Sequence, residues 1–515
     1  MSAILPLAPL EERTVPVLLD RARAFGLERP FFIDMETGDT LAYGAFLEHV
    51  SGAAHALAAR LPAGATVATL ISNRPEAVIL RFALSCAGLC EAAINGAHKG
   101  PVLAEMLRAS GAAAIVVEDR FRANLDAAGA PAGVAVIEEA EFLAICRLAR
   151  PWAARPERAP SVSDACRIIY TSGSSGVSKG AELSHGYEVY TGYAYATRMG
   201  LVPSDRWLYV TPFFHIDSVL SLSATLHAGG AYILGPRFSA SRFWSDVVRT
   251  EASVILYVGT ILAILMKQGD PPKGHKVRVA TGVGGTPASR AFFDERHGIP
   301  LLEIYGLSEC AACALDDIAA RRLGSCGKPL AGYEVIVADA LGRAQPAGKR
   351  GEILIRPREP WALFSGYRGN AAGTVKAFSN LWFHTGDLGS FDEGGHIYFH
   401  GRVKDVIRTR DENVSAEELE AIVEAHPQVM MAAAVGVPGE LGDEDILLYV
   451  RAREEQAIDP AELCAHLAER CAPFMVPHHV KVVTAFPMTP TEKIAKAQLP
   501  RTLDAAVWSR PPPRR

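Results

Sequence analysis

The chain has 515 residues, 49% of them hydrophobic and 21% charged, with a formal net charge of −5; this excludes the weakly hydrophobic, highly charged composition of disordered chains. At about 150 residues per domain, the length predicts two to four domains. No long run of one charge sign marks a nucleic-acid face or an anionic-membrane patch.

The amino end, MSAILPLAPLEERTVP, breaks its short apolar stretch with Pro6 and Pro9 and continues with Glu11 and Glu12, which suits neither a signal nor a transit peptide. No later stretch approaches the roughly 18 apolar residues that span a bilayer. A cytoplasmic location is therefore expected. Downstream, TVATLIS is followed by PEAVILRFALSCAGLC, then by AAAIVVE and GVAVIE, an alternation of strand-like and helical runs that predicts α/β layers around a largely parallel sheet. The alternation continues through WLYVTPFF, SVILYVGT, VRVATG and LLEIYG. It then gives way to Gly-punctuated strands, YEVIVAD and RGEILIRP, expected to be antiparallel and barrel-like. After GRVKDVIRTRD the pattern resets: SAEELEAIVEAHP and DPAELCAHLAER read as helices, MAAAVGVP and DILLYVRARE as strands. The predicted organisation is a large α/β domain over 1–401 with an added antiparallel subdomain, then a small α+β domain over 402–515. Nine cysteines without framework spacing fit reduced, mostly buried thiols. Cys310 and Cys313 form a CxxC, but no second pair or spaced His accompanies it, so zinc or redox use is not expected.

Between the strand-like CRIIY and a predicted helix lies TSGSSGVSKG, Thr171 to Gly180. Its backbone N–H groups and hydroxyls could surround an anion. It is not a Walker A loop, because Val177 and Ser178 separate Gly176 from Lys179. Ser184 reads as the N-cap of HGYEVYTGYAYA, several residues after Lys179, so the loop rather than a helix terminus must supply the contacts. Alone, such a loop is more often an ordinary connection. It is followed, however, by GVGGTPAS (282–289), YGLSE (305–309), HTGDLG (384–389), GRVKD (401–405) and TPTEKIAK (489–496).

This ordered set, spanning nearly the whole chain, resembles the adenylate-forming superfamily of acyl-CoA synthetases, luciferases and peptide-synthetase adenylation domains. The resemblance implies attack of a carboxylate on the α-phosphate of ATP, giving an acyl-adenylate and pyrophosphate, then displacement of AMP by a thiol. Positive charge and preorganised donors must offset the repulsion between two anions in the first step. By this resemblance Thr171, Ser172, Gly173, Ser174, Ser175, Gly176 and Lys179 hold the β- and γ-phosphates. Gly284, Gly285 and Thr286 line the adenine, Tyr305 stacks on it with Gly306 beside it, Ser308 donates to the α-phosphate and Glu309 holds Mg²⁺. Ser308 replaces the usual Thr and keeps the hydroxyl. Asp387 and Arg402 match the ribose-binding positions, with Phe399 in the same nucleotide set; Lys404 matches the interdomain hinge and Lys493 the catalytic lysine of adenylation. His215 occupies the aromatic position that walls the acyl tunnel, although a hydrogen-bonded structural His fits the sequence as well. The lining implied around it is Ile216, Val219, Val258, Gly259, Thr260, Gly282, Cys310 and Ala311. That set is small or apolar, without a base for a second carboxylate, and predicts a mostly apolar monocarboxylic acid.

Two departures stand out. Asp411 occupies a family Gly position beside the pantetheine tunnel, with Ala416 at a Pro position. Either its side chain crowds the tunnel, or Asp adopts a left-handed turn and faces solvent; the sequence fits both. Glu492 replaces the Gly before Lys493. A carboxylate ~4 Å from a phosphate would repel it by ~4 kcal/mol at an effective dielectric of 20, unless it faces away from ATP. The expectation is thus an acid–thiol ligase using ATP, Mg²⁺ and CoA. Three alternatives stay open: an enzyme confined to one half-reaction, acyl transfer to a carrier-protein thiol, and an adenylate-binding protein without turnover; a homodimer is compatible with each.

Overall fold

A computed structural model describes residues 4–171, 179–402, 406–409, 412–439, 444–454, 456–471, 475–489 and 493–511. Two compact units emerge: Met1–Val335 with Ile355–Phe383 and Gly395–Ile397, and Ile336–Leu354 with His384–Gly394 and Tyr398–Arg515. The expected α/β class holds.

The first unit contains two sheets. In one, the strands Ala165–Thr171, Cys90–Ala93, Thr66–Leu70, Ala112–Val117 and Ala135–Ile137 run parallel, and Lys179–Ser184 returns antiparallel against Ala165–Thr171. These are the runs read as strands from their apolar pattern, and the residues of Thr66–Leu70 are buried on both faces, as a parallel sheet covered by helices requires. In the other, Leu301–Tyr305, Val279–Val283, Val254–Val258, Arg206–Tyr209, Ala231–Leu234 and Pro30–Asp34 are parallel neighbours in that order. Local chemistry fixes the helices between them. Pro75 opens Pro75–Cys86 at a position whose N–H has no helical partner. Ser184 caps His185–Arg198 by accepting from the Tyr187 amide, as expected. Gly229, in the left-handed region at φ 66°, ends Ile216–Ala228. One element differs from the sequence reading: the strand inside SVILYVGT stops at Val258, and Gly259 already begins the helix Gly259–Gln268.

The strands of YEVIVAD and RGEILIRP, Tyr333–Ala338 and Gly351–Pro357, are neighbours in a four-stranded sheet with Phe383–Phe391 and Ile397–Arg402. In the second unit, a hairpin of Val406–Thr409 and Glu412–Ser415 precedes the helix Ala416–Glu424. A sheet follows, ordered Val429–Pro438, Glu444–Ala452, His479–Val482, Trp508–Ser509, with the helix Pro460–Ala468 capped by Asp459. Period-2 alternation sorts the first of these strands: Ala432 and Ala434 pack with Leu419 and Val423 of the helix, whereas Ala433, Val435 and Val437 pack with Phe486 and Leu499 on the opposite face. All nine cysteines are free and seven are buried. Among the described residues, no helix is long and apolar enough to cross a membrane.

Candidate active site

In the first unit the glycine-rich segment leaves a strand at Thr171 and re-enters its antiparallel partner at Lys179, and these two residues face each other in register. Ser172, Gly173, Ser174, Ser175 and Gly176 lie outside the described residues. The Lys179 ammonium sits 4.9 Å from the centroid of the Tyr367 ring, a cation–π distance. The Tyr367 hydroxyl in turn donates to Glu309 Oε1 at 2.7 Å. Glu309 is buried, and its carbonyl accepts from the Phe364 amide. Lys179, expected at the phosphates, and Glu309, the expected metal ligand, are therefore joined through a tyrosine that the sequence did not single out. The Ser308 carbonyl accepts from Tyr187 at 2.8 Å, which fixes the backbone of the same turn.

That turn is tight. A Cβ on Gly306 would lie 1.5 Å from the Ala311 carbonyl oxygen, so only glycine fits. Ala311 itself is held at φ 47°, a left-handed conformation rare for a residue with a Cβ. Tyr305, at the strand end, is buried and accepts from the Cys313 amide. Cys313 Sγ points to the same carbonyl at 3.6 Å, and burial raises its thiol well above the ordinary range.

The loop Gly284–Gly285–Thr286 is shaped by a carboxylate. Glu303 accepts from the Gly284 amide at 3.1 Å, the Gly285 amide at 2.8 Å and the Tyr257 hydroxyl at 2.5 Å. Its own amide is held by Asp316 Oδ2 at 3.2 Å. Burial pushes the Glu303 carboxyl up from its ordinary value, and pushes that of Asp316 up to about 7 against the pull of its backbone hydrogen bond and of Arg290. Thr286 forms a reciprocal capping box with Ser289.

Of the residues expected to line an acyl pocket, Val258, Gly259 and Thr260 lie at a strand-to-helix junction, and Val258 is paired with Val283 on the next strand. Two glycines here answer to backbone approach. A Cβ on Gly259 would meet the Gly284 carbonyl oxygen at 2.6 Å, and one on Gly282 the Tyr257 carbonyl oxygen at 1.9 Å. Cys310 is fully buried beside Ala311.

His215 is the N-cap residue of Ile216–Ala228, half-buried, with its ring 4.5 Å from that of Phe214. Val219 is buried one turn on. Two residues outside the motifs grip this segment. Asn73 donates to the carbonyls of Thr211 at 2.8 Å and Gly235 at 2.9 Å and accepts from the Phe213 amide at 2.8 Å. Arg81, fully buried, donates to the Phe213 carbonyl at 2.8 Å, to Ser218 Oγ at 2.7 Å and to Glu91 Oε2 at 2.9 Å. Burial pushes the Glu91 carboxyl up, but the charges of Arg81 and Arg167 prevail and hold it below the usual range. Asp217 accepts from Thr211 Oγ1 at 2.7 Å.

In the second unit, Asp387 Oδ1 lies 2.7 Å from Arg402 Nε; the carboxylate is buried and the guanidinium about half exposed. The Asp387 amide is held by Thr385 Oγ1, which itself donates to the Ile353 carbonyl. Gly386, at φ 71°, donates to Glu352. Phe399 lies half-buried on the strand that ends at Arg402. Lys493 is exposed; its amide donates to Thr489 Oγ1 at 3.1 Å and its carbonyl accepts from the Thr489 amide at 2.7 Å. Lys404, Asp411 and Glu492 lie outside the described residues.

The family model of AMP-binding enzymes matches residues 18–368, and that of the AMP-binding enzyme C-terminal domain matches 418–493. The chain belongs to the AMP-binding enzyme family. It is an AMP-forming acyl-CoA ligase by class, as the motif order implied. A sulfoacetate–CoA ligase of Cupriavidus necator is 30% identical over 485 residues, 92% of this chain and 94% of that protein. A crotonobetaine/carnitine–CoA ligase of Salmonella paratyphi A is 32% identical over 346 residues, 66% of this chain and 67% of that one. The crystal structure of ATP-bound MatB from Rhodopseudomonas palustris superposes with a TM-score of 0.86 at 25% identity, covering 94% of this chain and 98% of that one.

Proposed function

We propose that this ligase activates a mostly apolar monocarboxylic acid as its acyl-adenylate and passes the acyl group to the thiol of CoA. The observation that carries the reading is the Lys179–Tyr367–Glu309 arrangement, which ties the phosphate loop to the carboxylate of the YGLSE turn. Thr171 and Lys179 would hold the departing pyrophosphate, with Ser172, Gly173, Ser174, Ser175 and Gly176 between them. Ser308 would donate to the α-phosphate, Gly284, Gly285, Thr286, Tyr305 and Gly306 would seat the adenine, and Asp387, Arg402 and Phe399 would seat the ribose.

Glu309 fits Mg²⁺ as a single carboxylate ligand. Oε1 is engaged by Tyr367, and among the described residues no group of three or more His, Cys, Asp or Glu could hold a metal alone. This suits an ion bound chiefly through phosphate oxygens and water. When bound, Mg²⁺ neutralises phosphate charge. The attacking carboxylate oxygen forms a bond to the α-phosphorus while the bridge to the β-phosphate breaks. The CoA thiol, once it has lost its proton, then displaces AMP from the acyl carbon. Lys493 would donate to the reacting α-phosphate and carboxylate oxygens in the first step only. The reading includes a division into 1–401 and 402–515 with Lys404 as hinge.

The acid's character follows from the charges near Ile216 and Val219. Arg81 is already paired with Glu91, and Asp217 is itself acidic, so neither of these two side chains would match a second substrate carboxylate. The test is acid-dependent pyrophosphate exchange with MgATP across aliphatic and aromatic monocarboxylates, malonate, sulfoacetate and carnitine, followed by thioester formation from preformed acyl-adenylates and CoA. Exchange confined to apolar monocarboxylates is expected. Preference for sulfoacetate or malonate would overturn the proposed acid class. Exchange without a thioester, or the reverse, would restrict the enzyme to one half-reaction, and preference for a carrier-protein thiol would replace CoA. Lys493→Ala should abolish exchange and largely spare thioester formation; equal loss in both would refute its role.

A further inference from the structure

We propose that the ion pair between Lys496 and Glu420 is a positioning device for Lys493, setting the angle at which the stem that carries it leaves the body of the small unit. The inference rests on the adenylating role proposed for Lys493.

The stem is narrow and closed by backbone. Thr489 and Lys493 exchange the two hydrogen bonds already described, Met488 and Ile494 form an antiparallel bridge, and the Ala495 amide donates to the Pro487 carbonyl at 2.8 Å. Lys493 therefore follows the stem, and its direction depends on what holds residues 486–489 and 493–499. Two apolar anchors, Phe486 before the stem and Leu499 after it, pack with Ala433, Val435 and Val437 on one face of the sheet; Ile494 joins them partly buried. Such contacts fix depth but are not directional. A stem held only by them could pivot.

The directional contact comes from the other face. Lys496, three residues after Lys493, places its ammonium 2.6 Å from Glu420 Oε2, and Glu420 belongs to the helix that packs on Ala432 and Ala434. The second carboxylate oxygen accepts from the Ala434 amide at 2.6 Å, so it is itself fixed to the edge strand Val429–Pro438. Lys496 thus ties the stem on one face to the helix on the other, around the edge of the sheet. Burial pushes the Glu420 carboxyl up to about 7 against the pull of Lys496. An ion pair in such a place is weak as a stabiliser, whereas its short, doubly fixed geometry suits orientation.

The test uses the full chain, MgATP and whichever acid supports exchange in the screen above. Glu420→Gln and Lys496→Met should each slow acid-dependent pyrophosphate exchange at least tenfold at unchanged KM for ATP. Thioester formation from the preformed acyl-adenylate should stay within twofold, and Lys496→Arg should retain most exchange. A merely structural pair would lower both half-reactions together, and that result overturns the proposal, as would exchange within twofold of the unaltered enzyme in both variants. Lys496→Met alters the more exposed partner and decides the matter if Glu420→Gln does not fold. Lys493→Ala, run alongside, separates the failures. If it loses exchange alone while the pair variants do not, the positioning role falls and the function stands; if it spares exchange, the role of Lys493 falls and the positioning role with it.

Discussion

Replacing Arg81 by Met strands Glu91 in the interior of the first unit. Both side chains are almost fully buried, at 1% and 5% exposure. Breaking a buried pair by removing one partner costs about 3–5 kcal/mol, because the remaining charge is left uncompensated. Here the lower end applies: Glu91 keeps the Thr69 hydroxyl at 3.0 Å and Arg167 at 3.5 Å. The Phe213 carbonyl still accepts from Ser218, so each lost hydrogen bond there adds only about 0.5–1.5 kcal/mol. With the two hydrogen bonds that Arg81 gives to Ser218 and to the Phe213 carbonyl, the sum is about 4–6 kcal/mol, a large share of the ~5–15 kcal/mol of an ordinary domain. Urea unfolding followed by tryptophan fluorescence reads it directly, because Trp152, Trp207, Trp244, Trp361 and Trp382 all lie in the first unit and only Trp508 in the second. The double variant Arg81→Met/Glu91→Gln removes the stranded charge and should recover about 2 kcal/mol relative to Arg81→Met alone. Additivity of the single changes within about 0.5 kcal/mol would show that the two side chains do not act as a pair, and would refute the reasoning.

Asp316 offers a pH test. Its folded pKa of about 7 exceeds the ordinary 3.8, so between about pH 4 and 7 the native state holds a proton that the unfolded chain has lost; its contribution falls as pH rises through that window, by at most about 4 kcal/mol. Asp316→Asn lacks the titration, so its Tm relative to the unaltered protein should climb from pH 5 to pH 8; a flat difference would show that Asp316 does not titrate there. Glu303→Gln puts an amide donor against either the Gly284 or the Gly285 amide, which bond to different carboxylate oxygens, and should raise KM for ATP about tenfold with KM for the acid unchanged, since a hydrogen bond to a charged acceptor is worth about 1.5–3 kcal/mol; steady-state kinetics decides. Gly282→Ala, whose Cβ would sit 1.9 Å from the Tyr257 carbonyl oxygen, should destabilise the first unit by several kcal/mol in the same urea assay, whereas a pocket-facing glycine would accept the methyl.

Much of the sheet architecture was legible because parallel buried strands write themselves as short apolar runs, and TVATL and VILYV could hardly be anything else. Ser184 was legible for a local reason, since a cap is made within three residues. The side chains that shape the site were not. Glu303 grips amides 18 and 19 residues away in sequence, Tyr367 reaches Glu309 across 58 residues, and Asn73 reaches Phe213 across 140; no pattern of periodicity or capping encodes such meetings. One signal was present and passed over. Arg81 and Glu91 are opposite charges ten residues apart inside ILRFALSCAGLCEAAI, and two charges in so apolar a run announce an interior pair, because neither would be tolerated there alone.

The approach of Gly259 to the carbonyl of Gly284 bears on how far this enzyme could be redesigned. The junction assigned to the acid and the loop assigned to the nucleotide meet as bare main chain, with no side chain between them to trim or enlarge. With the seats as proposed, any graft at 259 would press on the nucleotide loop as well, and changing acid selectivity there should also change the affinity for ATP, which paired KM measurements would read. The segment from His215 to Val219 is held instead by side chains, Ser218 bonding to Arg81; libraries aimed at new acids belong there.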